Sequence, residues 1–247
     1  MNFTCYGKKS NTSILFIHGL ASTADLCFKQ LLPYLTDYYV IFCELDGHCD
    51  TKVNDLLSMK KIIKDIEAYI LKELDGKLFG LCGFSMGGTL VVDLISRGNI
   101  RVEKVLVDAP ITVELGPMGF FCTWAFIIGT NMIKKGKKIP KFLLDLVAGK
   151  DNTSIIEMMY PKIRKTTIKN ACKYIYHYKF SENLKKYPKP VLLWRGSEEL
   201  IPAKSEKNLQ KYLPQMTVEV FENIGHGQFL HEDPKLYAEK LKKFMDC

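Results

Sequence analysis

Among the 247 residues, one serine stands where its hydroxyl could be made a nucleophile. Ser85 lies in Gly83-Phe84-Ser85-Met86-Gly87, with Gly88 next. The apolar run 77–82 before it reads as a strand, and the helix-period stretch 86–97 follows directly. In that setting G-x-S-x-G is a nucleophile elbow, a sharp strand-to-helix turn that lifts the serine Oγ clear of the sheet. Glycines flank the serine because the turn brings backbone segments too close for a Cβ. A serine hydroxyl also needs a base, a group that orients the base, and donors for the oxyanion that attack creates. His226, in Gly225-His226-Gly227, falls between the last strand-like run and the last helix-like one. From there a loop can reach over the carboxyl ends of the strands. His231 reads as a surface or capping residue. His177, among Tyr174, Tyr176 and Tyr178, reads as a packed residue able to touch a substrate. Three carboxylates could orient the base: Glu198 and Glu199 in the loop after 191–194, and Asp108 at the end of the preceding strand.

The elements that would position these groups alternate along the chain. Short apolar runs at 13–17, 38–43, 77–82, 102–107, 191–194 and 217–221 read as strands, and 2–6 as an antiparallel edge strand. Helical patterns at 55–74, 86–97, 203–213 and 234–245 fill most gaps. Such alternation predicts an α/β fold, a mostly parallel sheet with helices on both faces. Between the strands at 102–107 and 191–194 the rhythm stops. A core of 1–110 and 185–247 is therefore expected to carry an inserted helical lid at 111–184. The uncharged stretch 115–133 is long enough to raise the question of a membrane span. Gly116, Pro117, Gly119 and Gly129, and its place between two sheet strands, point instead to a lid helix lining an apolar pocket. Phe121 and Trp124 are its candidate substrate-facing residues, with His177 from the same insertion.

Composition narrows the partners. With 47% hydrophobic residues the chain can bury a sizeable core. Its net charge of +8 could suggest nucleic acid, but only four of the 35 basic residues are arginine, the usual fork for phosphate and guanine. A solvated lysine surface is the expectation, with no nucleic-acid partner. No pair of the eight cysteines has C-x-x-C spacing, so neither a zinc site nor a redox dithiol is signalled. Residues 1–10 lack the apolar run of an export signal, and a cytoplasmic protein with reduced thiols is expected.

Across nearly its whole length the sequence resembles the α/β-hydrolase superfamily, in the branch of small lid-bearing serine esterases and lipases. Phe16-Ile17-His18-Gly19-Leu20 is similar to that family's oxyanion-strand motif, and Glu44-Leu45-Asp46-Gly47-His48 to its D-x-x-G-H loop. Gly83 to Gly88 matches the elbow, and Ile224-Gly225-His226 before Glu232-Asp233-Pro234 the histidine loop. The order serine, acid, histidine is also the family's. The resemblance implies oxyanion donation from the backbone N–H groups of Leu20 and Met86, with His18 and His48 structural. Two departures stand out: Cys49 replaces a common glycine, and the pair Glu198-Glu199 stands where the family has Asp. Counting from Gly196 selects Glu199 as the acid, while counting back from Pro202 selects Glu198. The implied function is hydrolysis of a carboxylic ester or thioester of a small to medium apolar acyl group through an acyl-enzyme, with no metal or organic cofactor. Other readings on the same fold are a ligand-binding receptor without turnover, or a lipase working at a membrane surface.

Overall fold

The computed structural model describes residues 1–48, 55–148 and 152–246; Cys49 lies outside them. Seven strands form one sheet in the order β1-β3-β2-β4-β5-β6-β7. They are β1 (Asn2–Tyr6), β2 (Thr12–Ile17), β3 (Tyr38–Glu44), β4 (Lys77–Phe84), β5 (Arg101–Asp108), β6 (Val191–Gly196) and β7 (Thr217–Phe221). All pairings are parallel except that of β1, which runs antiparallel along β3 at the edge. This is the mostly parallel α/β sheet that the alternation of runs predicts.

Period-two alternation sends the strand side chains to two separate cores. Leu15, Ile17, Leu81, Val105 and Val107 face α2 (Met59–Glu73) and α3 (Met86–Arg97). Phe16, Phe42, Cys82, Leu106 and Trp194 face α1 (Ala24–Phe28) and α10 (Pro234–Asp246). Burial on both faces is why β2 and β4 read as continuous apolar runs rather than alternating ones.

Between β5 and β6 lie α4 (Pro117–Lys134), α5 (Lys141–Ala148), α6 (Ser154–Glu157) and α7 (Lys165–Ile175), then a 3₁₀ turn at Glu182–Lys186. Short backbone pairings join the base of this insertion: Leu115 N–H to Tyr176 O at 2.9 Å and Tyr178 N–H to Val113 O at 3.1 Å. Tyr174 and Tyr178 donate to Asp93 of α3, tying α7 to the helix that follows Ser85. Among the described residues, no helix is long and apolar enough to cross a membrane.

Two helix boundaries differ from expectation. The stripe at 55–74 becomes helical only at Met59, capped by Ser58 Oγ accepting Lys61 N–H. Leu56 is taken out of the helix by α7: its N–H donates to Thr167 Oγ1 and its carbonyl accepts Asn170 Nδ2–H. The helix expected at 203–213 is α8 (Leu200–Leu209), which admits Pro202 because the first turn has no internal acceptor for its missing N–H. His231 lies in the last turn of the short helix α9 (Gln228–Glu232), where it meets Glu157 of α6.

Candidate active site

The elbow is built by close approach. A Cβ on Gly87 would lie 2.0 Å from Ile17 O, and one on Gly83 2.4 Å from Gly87 O, so neither position admits a side chain. Ser85 itself sits at φ 55°, ψ −118°, a conformation that costs an L-residue about 1–3 kcal/mol. The neighbouring strand helps to hold it there, since Ser85 N–H donates to Asp108 O at 2.8 Å.

His226 comes from the loop after β7, and its Nε2 lies 2.9 Å from Ser85 Oγ. Its Nδ1 lies 2.5 Å from Glu199 Oε1. Because a carboxylate only accepts, Nδ1 carries the proton and Nε2 turns its lone pair to the serine hydroxyl. Glu199 is the N-cap residue of α8, and its second oxygen accepts Gly196 N–H at 2.5 Å, which fixes the long side chain. It is 3% exposed and His226 14%, so the pair is largely screened from water. Such a relay can deprotonate a hydroxyl while a fixed charge supports the imidazolium that forms.

Two backbone N–H groups stand beside it, those of Leu20 and Met86. A Cβ built on Gly19 would be 3.2 Å from Ser85 Cβ, so the backbone leading to Leu20 passes directly by the serine. Met86 N–H opens α3. Among the described residues neither the Leu20 nor the Met86 N–H has an acceptor. His18 anchors this stretch: its Nδ1–H donates to Gly19 O and its Nε2 accepts Leu45 N–H. Burial brings the His18 pKa down to about 3, which keeps it neutral in that bridging role. His48, fully buried, falls to about 4 for the same reason.

Ser85, Glu199 and His226 all fall within the span that a family model matches. The model of the alpha/beta hydrolase family matches residues 14–240. The chain belongs to that family. Pimeloyl-[acyl-carrier protein] methyl ester esterase of Nitrosomonas europaea is 24% identical over 233 residues, 88% of this chain and 89% of its own. Human monoacylglycerol lipase ABHD6 is 21% identical over 94% of this chain and 75% of its own. Among solved structures, an alpha/beta hydrolase family protein from Desulfitobacterium hafniense superimposes with a TM-score of 0.85 at 20% identity, over 98% of this chain and 99% of that one.

The other candidate residues of this hydrolase fall elsewhere. Glu198 is half-buried, with its N–H on Ile224 O. Phe121 and Trp124, expected to line a pocket, are 62% and 60% exposed, and His177 is exposed too. The cause is that α4 is apolar nearly all round, so its pattern cannot say which side packs; Gly119, Ile127 and Thr130 are the buried ones.

Asp108 accepts a hydrogen bond from Tyr237 at 3.1 Å. Burial, then the neighbouring Glu199 charge, pushes its pKa up to about 7. Between about pH 4 and 7 the folded protein therefore holds a proton that the unfolded chain has released. Stability falls as pH rises through that window. Asp108→Asn, whose amide oxygen can still accept from Tyr237, is expected to raise Tm at pH 8 and to leave it unchanged at pH 4. Thermal melts at the two values check this, and an equal change at both would refute it.

Sequence reasoning misses Asn152. Fully buried, it donates to Ala148 O at 2.8 Å and His226 O at 3.0 Å, while its Oδ1 accepts Ser154 N–H at 3.1 Å. His226 N–H also donates to Ala148 O, at 2.7 Å. Both backbone polar groups of the histidine are thus held from the insertion. An asparagine ahead of a short helix reads only as a cap, and no local signal reveals a partner 74 residues away.

Proposed function

We propose that this hydrolase is a serine enzyme cleaving a carboxylic ester or thioester of a small to medium apolar acyl group through an acyl-enzyme. The observation that carries the reading is the chain Ser85 Oγ, His226, Glu199, joined at 2.9 and 2.5 Å. Ser85 attacks the acyl carbonyl while His226 Nε2 takes its proton. The N–H groups of Leu20 and Met86 receive the oxyanion. The imidazolium, held by Glu199, protonates the departing alkoxide or thiolate, and water then releases the acid by the reverse use of the same base. The strained serine and its partners are assembled before substrate arrives, so little reorganisation is left for the reaction. Two relatives named for carboxylic esters, a methyl ester esterase and a monoacylglycerol lipase, favour the oxygen ester within this reading.

In the same reading, 111–184 forms a cap over a core of 1–110 and 185–247. A cytoplasmic setting fits the buried thiols of Cys27, Cys82 and Cys172. A fluorophosphonate probe tests the assignment. It should add one phosphonyl group, recovered on the peptide that contains Ser85, and saturating short-chain ester should slow the labelling. No adduct at Ser85, under conditions that label a known serine esterase, would overturn it. A panel of matched oxygen esters and CoA thioesters of rising chain length then fixes the substrate class.

A further inference from the structure

The charge of this chain is not spread evenly. Residues 111–184 hold twelve of the 35 basic residues and five of the 27 acidic ones, which is +7 of the net +8. The rest of the chain is nearly neutral. Among the described residues, the same insertion exposes the largest cluster of apolar side chains on one helix: on α4, Met118 is 59% exposed, Phe120 71%, Phe121 62% and Trp124 60%. From Pro117 to Gly129 the helix has one polar side chain, Thr123, and its hydroxyl is spent on Gly119 O at 2.7 Å.

The basic residues border this face. Lys165, Lys169 and Lys173 stand four residues apart along α7, all exposed. A cavity of about 440 Å³ between α4 and α7 is lined by Phe120 and Thr123 on one side and by Lys169, Lys173 and His177 on the other. Beyond the far end of α4, Lys135, Lys137 and Lys138 are exposed as well. Among the described residues, none of these six lysines has an acidic partner. The insertion leaves the sheet at the carboxyl end of β5, where Asp108 pairs with Phe84, the neighbour of Ser85.

We propose that α4 lies in the surface of an anionic lipid bilayer, with Met118, Phe120, Phe121 and Trp124 among the acyl chains and the α7 lysines on the headgroups. Large apolar groups inside a rim of unpaired lysines match the two attractions that hold a helix in such an interface. A protein partner fits less well, because protein interfaces carry about one hydrogen bond per 100–200 Å² and this face offers almost no donors or acceptors. Nucleic acid fits less well again, since the centre of the face is aromatic and aliphatic. Docking in this way would set the end of the sheet that carries Ser85 near the membrane, where apolar acyl esters concentrate. The binding itself does not depend on hydrolysis, so it can fail while the serine reading stands.

The molecule carries its own probe. Of its two tryptophans, Trp194 is 1% exposed and Trp124 is on this face, so a change in emission on binding reports Trp124. Purified protein is mixed with vesicles of phosphatidylcholine alone or with one-third phosphatidylglycerol, and followed by sedimentation and emission. Binding to the anionic vesicles should be about tenfold stronger or more, weaken in high salt, and come with a blue shift that Trp124→Phe removes. Phe121→Ser with Trp124→Ser should cut binding at least tenfold. Lys165→Gln, Lys169→Gln and Lys173→Gln together should abolish the preference for anionic lipid, with turnover of a short water-soluble ester within twofold of wild type. Binding to neither vesicle would overturn the proposal, as would binding untouched by both sets of changes. Loss of a dimer in the serine variant, seen by light scattering without any vesicle binding in the wild type, would assign the face to a second copy instead.

Discussion

Ser85→Ala should lower ester turnover by about 10⁴-fold or more while the protein stays folded. The hydroxyl oxygen is the atom that bonds to the acyl carbon, and the remaining oxyanion donors supply only a residual acceleration over water. Alanine keeps a Cβ at the strained position φ 55°, so the turn is no harder to form. His226→Ala should cost nearly as much, because attack and proton removal are one step. The double variant should then be no slower than either single one. Turnover on p-nitrophenyl acetate and butyrate, with circular dichroism as the control for folding, measures all three. Ser85→Ala within tenfold of wild type would end the nucleophile assignment. A double variant far slower than both singles would mean that the two residues serve different steps.

Glu199→Gln should reduce turnover by up to about 10⁴-fold with little change in KM. The amide keeps the size of the side chain but removes the charge that supports the imidazolium. It can also present an N–H to Nδ1, which favours the wrong tautomer and leaves a proton on the nitrogen that must accept one. Asp108→Asn should cost less than tenfold, since Asp108 faces Tyr237 and its proton is held until about pH 7. Glu198→Gln should likewise remain active, because the carboxylate at 2.5 Å from the ring is that of Glu199. The three variants assayed on one short ester rank the acids. An active Glu199→Gln beside a dead Glu198→Gln or Asp108→Asn would show that the relay works through a different carboxylate from the one in contact.

Local physics makes much of this molecule legible in its sequence. The elbow announces itself because its constraint is local: strand, two obligatory glycines and helix follow one another within twenty-one residues, Lys77 to Arg97. The parallel sheet is legible for a related reason, since strands buried on both faces must be continuously apolar and their crossovers must be long. β1 is also read as an edge strand, although it pairs with β3 rather than with β2, its neighbour in sequence. The short helix α1 and the 3₁₀ turn at Lys29–Tyr34 are not legible, because neither is long enough to show a period.

What the sequence leaves open is decided over distance. Three carboxylates stand as acids, and spacing within one loop cannot rank them; the choice depends on how α8 starts relative to a histidine 27 residues further on. Asn152 acquires its place only when α5 and α6 come against the histidine loop. The exposed side of α4 is equally hidden. A helix apolar on most sides carries no pattern that names its buried face, so Phe121 and Trp124 are expected inside and stand outside. Periodicity reports the environment of a segment only when that environment is one-sided. Where a segment is apolar all round, or where two partners meet through side chains from distant loops, only the packed tertiary structure can decide, because the deciding contact lies outside any window of sequence.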